Sequence, residues 1–126
     1  MGVTISIKDH ADTDHLLFED DDPLYWFLYP YFEEVYSEVG QMVDLYGNAE
    51  FFAEELLAFF LVLENAEGDV RSRGDQWHVT IGYHGEDRTP INKLLTKSDA
   101  LDRIEALKQM LNHAYNIDRR VVCLGD

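Results

Sequence analysis

Residues 25 to 36 carry seven aromatic side chains, Tyr25, Trp26, Phe27, Tyr29, Tyr31, Phe32 and Tyr36, and no other stretch restricts the possible folds so tightly. Rings of this size bury large apolar areas, so most of them belong in a core. A chain of 126 residues has room for one such core and one domain. Asp22 before Pro23 supplies an acceptor side chain at a helix cap and a proline in the first turn, which predicts a helix from Pro23 to Val39 ended by Gly40. Pro30 removes an internal hydrogen bond, so a kink or two short helices meeting there are expected. A helix with aromatics on every side cannot hide them all against one sheet. The surplus, interleaved with Glu33, Glu34 and Glu38, has the composition of a contact surface for a partner rich in Arg and Lys: rings stack on guanidinium groups and carboxylates grip them in pairs.

Charge points the same way. The formal net charge is -15, and it is unevenly spread: residues 1 to 69 hold 17 Asp and Glu against Lys8 alone, whereas residues 70 to 126 hold 8 acids against 9 bases. Such an acidic half repels nucleic acid and anionic membrane, speeds encounter with basic partners, and costs stability through self-repulsion. The plainer reading is that the acids keep the protein soluble. The opening MGVTISIKDH has no basic start followed by a long apolar run, and the longest apolar run, Leu56 to Leu63, is well short of the roughly 20 residues that cross a bilayer. A cytoplasmic protein is therefore expected. Cys123, the single cysteine, cannot form an internal disulfide and reads as a small buried hydrophobe in a strand.

Val3, Ile5 and Ile7 alternate with Thr4, Ser6 and Lys8, the pattern of a half-buried strand. The stretch from Asp9 to Asp22, with seven acids and two histidines, reads as a loop, and Gln41 to Gly47 as a short strand or a loop, with strand preferred. Asn48 then caps a helix along which Phe52, Leu56, Phe59 and Leu63 recur, with Glu50, Glu54 and Glu55 near its start where the dipole favours anions. The apolar run within it is also compatible with a buried strand. Gln76 to Tyr83 alternates as a strand, Trp77, Val79, Ile81 and Tyr83 against His78, Thr80 and Gly82. Ser98 opens an amphipathic helix with the stripe Leu101, Ile104, Leu107 and Leu111 and an Asp99 to Arg103 pair, and Arg119 to Leu124 returns to strand. Three or four strands interleaved with three helices predict an α/β (α+β) fold of two layers, a mixed sheet covered by about three helices.

Few residues spell out chemistry. The run His10-Ala11-Asp12-Thr13-Asp14-His15 follows a strand with donors suited to zinc or manganese, so His10, Asp12, Asp14 and His15 form a candidate metal site. The run resembles the H-x-H-x-D-H signature of metallo-β-lactamase-fold hydrolases, with Asp12 in the place of the second histidine. That resemblance implies two sandwiched sheets from a much longer chain and further ligands among His78, His84 and His113. A histidine serves as general base only when a partner carboxylate orients it, and no spacing around His78 or His84 supplies one. There is no nucleophile elbow, P-loop, G-x-G-x-x-G or C-x-x-C, and no cofactor is expected.

In size and charge the chain resembles small bacterial immunity proteins, which are acidic, cytoplasmic, and block a basic toxin such as a nuclease. The pieces Asp44-Leu45-Tyr46-Gly47 and Val121-Val122-Cys123-Leu124-Gly125-Asp126 are similar to segments of uncharacterised bacterial proteins. The leading expectation is a non-enzymatic binding or inhibitor protein that occludes a basic partner with acids from Asp9 to Asp22 and from Glu33 to Glu55. Asp20, Asp21, Asp22, Glu33, Glu34, Tyr29 and Tyr36 are the candidate contact residues. The alternatives are a small metal-dependent enzyme using His10, His15, His78 or His84, and a structural domain whose surplus aromatics form a homodimer interface.

Overall fold

The alternation of Val3, Ile5 and Ile7 with polar residues builds the spine of the main sheet. In chain order the elements are β1 (Gly2–Ile7), β2 (Leu16–Glu19), α1 (Pro23–Val39), β3 (Asn48–Phe51), α2 (Glu54–Ser72), β4 (Gln76–His84), β5 (Thr89–Thr96), α3 (Lys97–Asn116) and β6 (Val121–Gly125). The structure is a computed structural model, and it describes residues 2–9 and 15–126. Four strands form one sheet in the order β2-β1-β6-β3, and β4 with β5 form a separate pair. One face of the larger sheet buries Val3, Ile5, Ile7, Phe18, Ala49, Phe51, Val121 and Cys123 against the helices, while Leu17, Glu19, Asn48 and Glu50 on the other face are exposed. This is an α+β fold. All the strand pairings are antiparallel rather than mixed, because β6 returns between β1 and β3 running against both.

Helix α1 begins and ends where its capping residues predict. Asp22 Oδ1 accepts from the Leu24 amide at 3.0 Å, and Gly40, at φ 78°, turns left-handed and donates to the Tyr36 carbonyl. The helix does not divide at Pro30. That residue is exposed, so the missing N–H falls on the solvent side, while Leu28, Phe32 and Val35 stay buried on the other. Four other expectations need correction. The stretch read as a loop from Asp9 to Asp22 contains β2, in register with β1. Gln41 to Gly47 is irregular, and the strand follows it. Asn48 therefore sits in β3 and caps nothing; α2 starts at Glu54, with the Glu55 carboxylate accepting from the Phe52 amide at 3.1 Å. Thr96, not Ser98, caps α3. The strand β5 was not anticipated at all, because Pro90 and a nearly continuous exposed pattern conceal it.

The charge asymmetry along the chain becomes ion pairing between its two parts. Arg103 clamps both carboxylate oxygens of Asp22 while lying over the Phe18 ring. Lys93 meets Asp21 at 2.8 Å, Arg73 meets Asp69 at 3.1 Å, Lys108 meets Glu67 at 3.2 Å and Arg120 meets Glu50 at 3.6 Å. Burial works against the Arg103 charge, and Asp22 more than offsets it, leaving the guanidinium pKa above its ordinary value. A second long-range junction joins the segment 44–47 to the chain at 125–126. The Gly125 amide donates to the Gly47 carbonyl and the Asp126 amide to the Leu45 carbonyl. A β-carbon on Gly125 would lie 2.6 Å from the carbonyl oxygens of Asp44 and Gly47. Both pieces are thus one structural clasp, in which glycine is required by close backbone approach.

Two stability measurements check this account. Asp22→Ala removes a helix cap and orphans Arg103, and is expected to cost about 3 kcal/mol in urea unfolding; Asp22→Asn, which keeps the cap acceptor, recovers about 1 kcal/mol of that. Gly125→Ala is expected to cost at least about 2 kcal/mol through strain at the clasp, and an unchanged midpoint would show that the clasp yields freely.

Candidate functional site

Helix α1 settles which aromatics serve the core. Tyr25 and Phe32 are fully buried, and the Tyr25 hydroxyl donates to the Val43 carbonyl at 3.1 Å. Trp26, Phe27, Tyr29 and Tyr31 are half-buried at the rim. Tyr36 alone of the seven is mostly exposed, at 57%. The wet side of the helix therefore presents Trp26, Tyr29, Pro30, Glu33, Glu34, Tyr36 and Glu38, rings and carboxylates at helical spacing. Trp26 packs at 5.5 Å from Tyr29, and its indole N–H donates to the Asp20 carbonyl at 2.8 Å.

The flank of this surface opens into a cleft of about 400 Å³ lined by Trp26, Phe27, Pro30, Tyr31, Asp69, Arg73, Trp77, His78 and Val79. Its wall is an ordered stack. The Arg73 guanidinium lies 5.0 Å from the ring centres of both Phe27 and Trp77. Asp69 holds that arrangement, accepting from Arg73 Nε at 3.1 Å and from the Tyr31 hydroxyl at 2.8 Å. Burial, and then donation to Asp69, push the Tyr31 phenol up to about 12. The Trp77 indole N–H is buried and finds no acceptor among the described residues. Both tryptophans of the chain line this cleft.

The predicted contact residues divide into two groups. Asp22 is committed to its cap and to Arg103, and Asp21, held below the usual carboxylate range by Lys93, is committed to β5. Glu33, Glu34 and Asp20 are exposed and make no ion pair among the described residues. Tyr29 and Tyr36 lie on the same side of α1 as Glu33. The cleft was missed. Its parts come from α1, α2 and β4, and no local spacing joins Trp26 to Arg73 and Trp77.

The histidines among the described residues do not group with other metal-ligating side chains. His10, Asp12 and Asp14 lie outside the described residues, and His15 is exposed beside Lys8, Asp9 and Glu50. His78 and His84 stand six positions apart on β4, which sets them about 20 Å from one another. Among the described residues no three His, Cys, Asp or Glu side chains group to hold a metal ion. Cys123 sits in the buried face of the sheet, where burial raises its thiol to about 12. Among the described residues no helix is long and apolar enough to cross a membrane. No protein-family model, curated protein or solved structure matches the chain.

Because both indoles border the cleft, intrinsic fluorescence reads it selectively. Arg73→Ala removes the cation from above Phe27 and Trp77 and is expected to cost about 1 kcal/mol. It should also red-shift the emission and raise acrylamide quenching; unchanged quenching would mean that Arg73 does not cover the rings in solution.

Proposed function

We propose that this protein is a non-enzymatic acidic binding protein of the immunity or inhibitor type, which occludes a basic protein partner such as a bacterial toxin in the cytoplasm. The observation that carries this reading is the placement of Glu33, Glu34 and Glu38. All three are exposed in the C-terminal half of α1, Glu38 lies in the last turn where the helix dipole disfavours anions, Glu34 and Glu38 are like charges four residues apart, and none has an ion-pair partner among the described residues. Helix α1 has no basic residue in its last turn to relieve them. Carboxylates that weaken the fold where they stand are accounted for by a cation that arrives from outside. Tyr29 and Tyr36 lie one turn to either side of Glu33 and, with Trp26, supply rings on which a guanidinium can stack. Asp20 extends the negative surface toward the start of the helix, whereas Asp21 and Asp22 act indirectly, by fixing that start.

Binding proceeds in two stages on this reading. The acidic half steers a basic partner into encounter, which raises the association rate in a salt-dependent way, and aromatic contacts with desolvated Arg or Lys then set the lifetime. Replacing Glu33, Glu34 and Glu38 by Gln tests both halves of the argument. The triple variant should be more stable at low salt, by about 1 kcal/mol or about 3 °C in Tm. It should also associate roughly tenfold more slowly with a basic partner captured from the source lysate at low salt. A triple variant that melts lower, or that leaves the low-salt association rate of that partner unchanged, overturns this surface assignment.

A further inference from the structure

We infer that the protein self-associates through the free edge of β4, two copies pairing antiparallel about a twofold axis over Gln76–Thr80. The main chain of a terminal strand offers a row of unpaired N–H and C=O groups, and proteins usually guard such edges. Three of the four edges here are guarded. On β5, Pro90 and Lys93 stand in the strand, and Lys93 is tied to Asp21. The other two edges belong to strands of four residues: Arg103 donates to the Leu17 carbonyl of β2, and the Gln41 side chain accepts from the Glu50 amide of β3. By contrast β4, Gln76–His84, contains no Pro, Lys, Arg, Asp or Glu, and beyond its ladder to β5 its main chain makes no hydrogen bond to the described residues. The irregularity between Thr80 and Gly82 interrupts its distal half, which leaves Gln76–Thr80 as the regular, unguarded segment.

The aromatic cleft runs along this edge, with residues of α1 and of the end of α2 forming its opposite wall. Successive strand residues point to opposite faces, so a cleft on one face would be lined by alternate residues only. This one is lined by Trp77, His78 and Val79 in succession, with no residue of β5. It therefore reaches the backbone edge of β4 that faces away from β5.

Charge selects a second copy as the occupant. Within residues 76–96 the acids Glu86 and Asp87 balance Arg88 and Lys93, so the hairpin is formally neutral while the rest of the chain carries the whole net charge of -15. A basic partner is drawn to the rest of the molecule, whereas two copies repel one another least at the hairpin. The hairpin also exposes Tyr83, Ile91 and Leu94, at 58%, 39% and 46%. A two-stranded ribbon is marginal alone, and edge pairing makes it four-stranded. A twofold centred on His78 sets Trp77 opposite Val79 of the second copy, side chains on the core-facing side in both, and avoids the irregular region.

Sedimentation equilibrium on the full chain, from about 1 to about 200 µM, in about 50 mM and about 500 mM NaCl, tests this. A monomer–dimer equilibrium that tightens with salt is expected, because screening relieves repulsion between two copies of charge -15. The sign is opposite to that expected for a basic partner on α1, so the two proposals fail separately. His78→Lys, at an exposed position, sets like charges across the axis and should weaken the dimer about fivefold. Hydrogen exchange should slow with concentration at the amides of Gln76–Thr80 that point away from β5. A monomer at every concentration in both salts, a dimer that dissociates as salt rises, or one that His78→Lys leaves unchanged overturns the proposal.

Discussion

The Asp22 carboxylate joins two requirements that would otherwise be separate. It caps the helix that carries seven of the sixteen aromatic side chains, and it receives the Arg103 guanidinium from the third helix. The first 69 residues hold a single base, so the cations that relieve their crowded carboxylates come mostly from later in the chain. Asp21 with Lys93, Glu67 with Lys108 and Glu50 with Arg120 repeat the same solution elsewhere. Exposed pairs of this kind contribute little singly. Their collective effect is to decide which acids are spoken for and which are left to face outward.

That division gives the surface its character. The acids beside later cations are part of the fold, whereas Glu33, Glu34 and Glu38 are exposed and make no ion pair among the described residues. Stability alone does not favour Glu38 in the last turn of a helix with no basic residue there, nor Glu34 one turn before it. The same helix carries rings in excess of what its buried side can absorb, and the excess lies at the rim. Packing and charge therefore single out one side of α1 by independent routes, and the cleft beside it extends that side toward β4.

Much of this was legible from residue patterns. The ends of α1 follow from Asp22, Pro23 and Gly40, whose effects are local, and the alternation in β1, β4 and β6 reports burial on one face. Other features were concealed because their causes are distant in sequence. The β2 segment, Leu16 to Glu19, is short and adjoins acids, and only its pairing with β1 makes it a strand. Asn48 has a good capping side chain, yet pairing opposite Leu124 overrides that preference. At the site, the exposed glutamates could be read from composition, but the use of Asp21 and Asp22 inside the fold could not, because Lys93 and Arg103 lie 72 and 81 residues away.

Strand order also governs how the molecule comes into being on the ribosome. β6 is the last strand in the chain, yet it lies between β1 and β3, so β3 has no neighbour in the sheet until those final residues have been synthesised. The same delay applies to charge, since the acidic part emerges well before Arg103, Lys108 and Arg120. Until then the carboxylates of the first 69 residues repel one another without their later cations, and the buried side of α1 lacks the completed sheet. Completion is then a closing event, in which the arrival of one strand seals the hydrophobic layer.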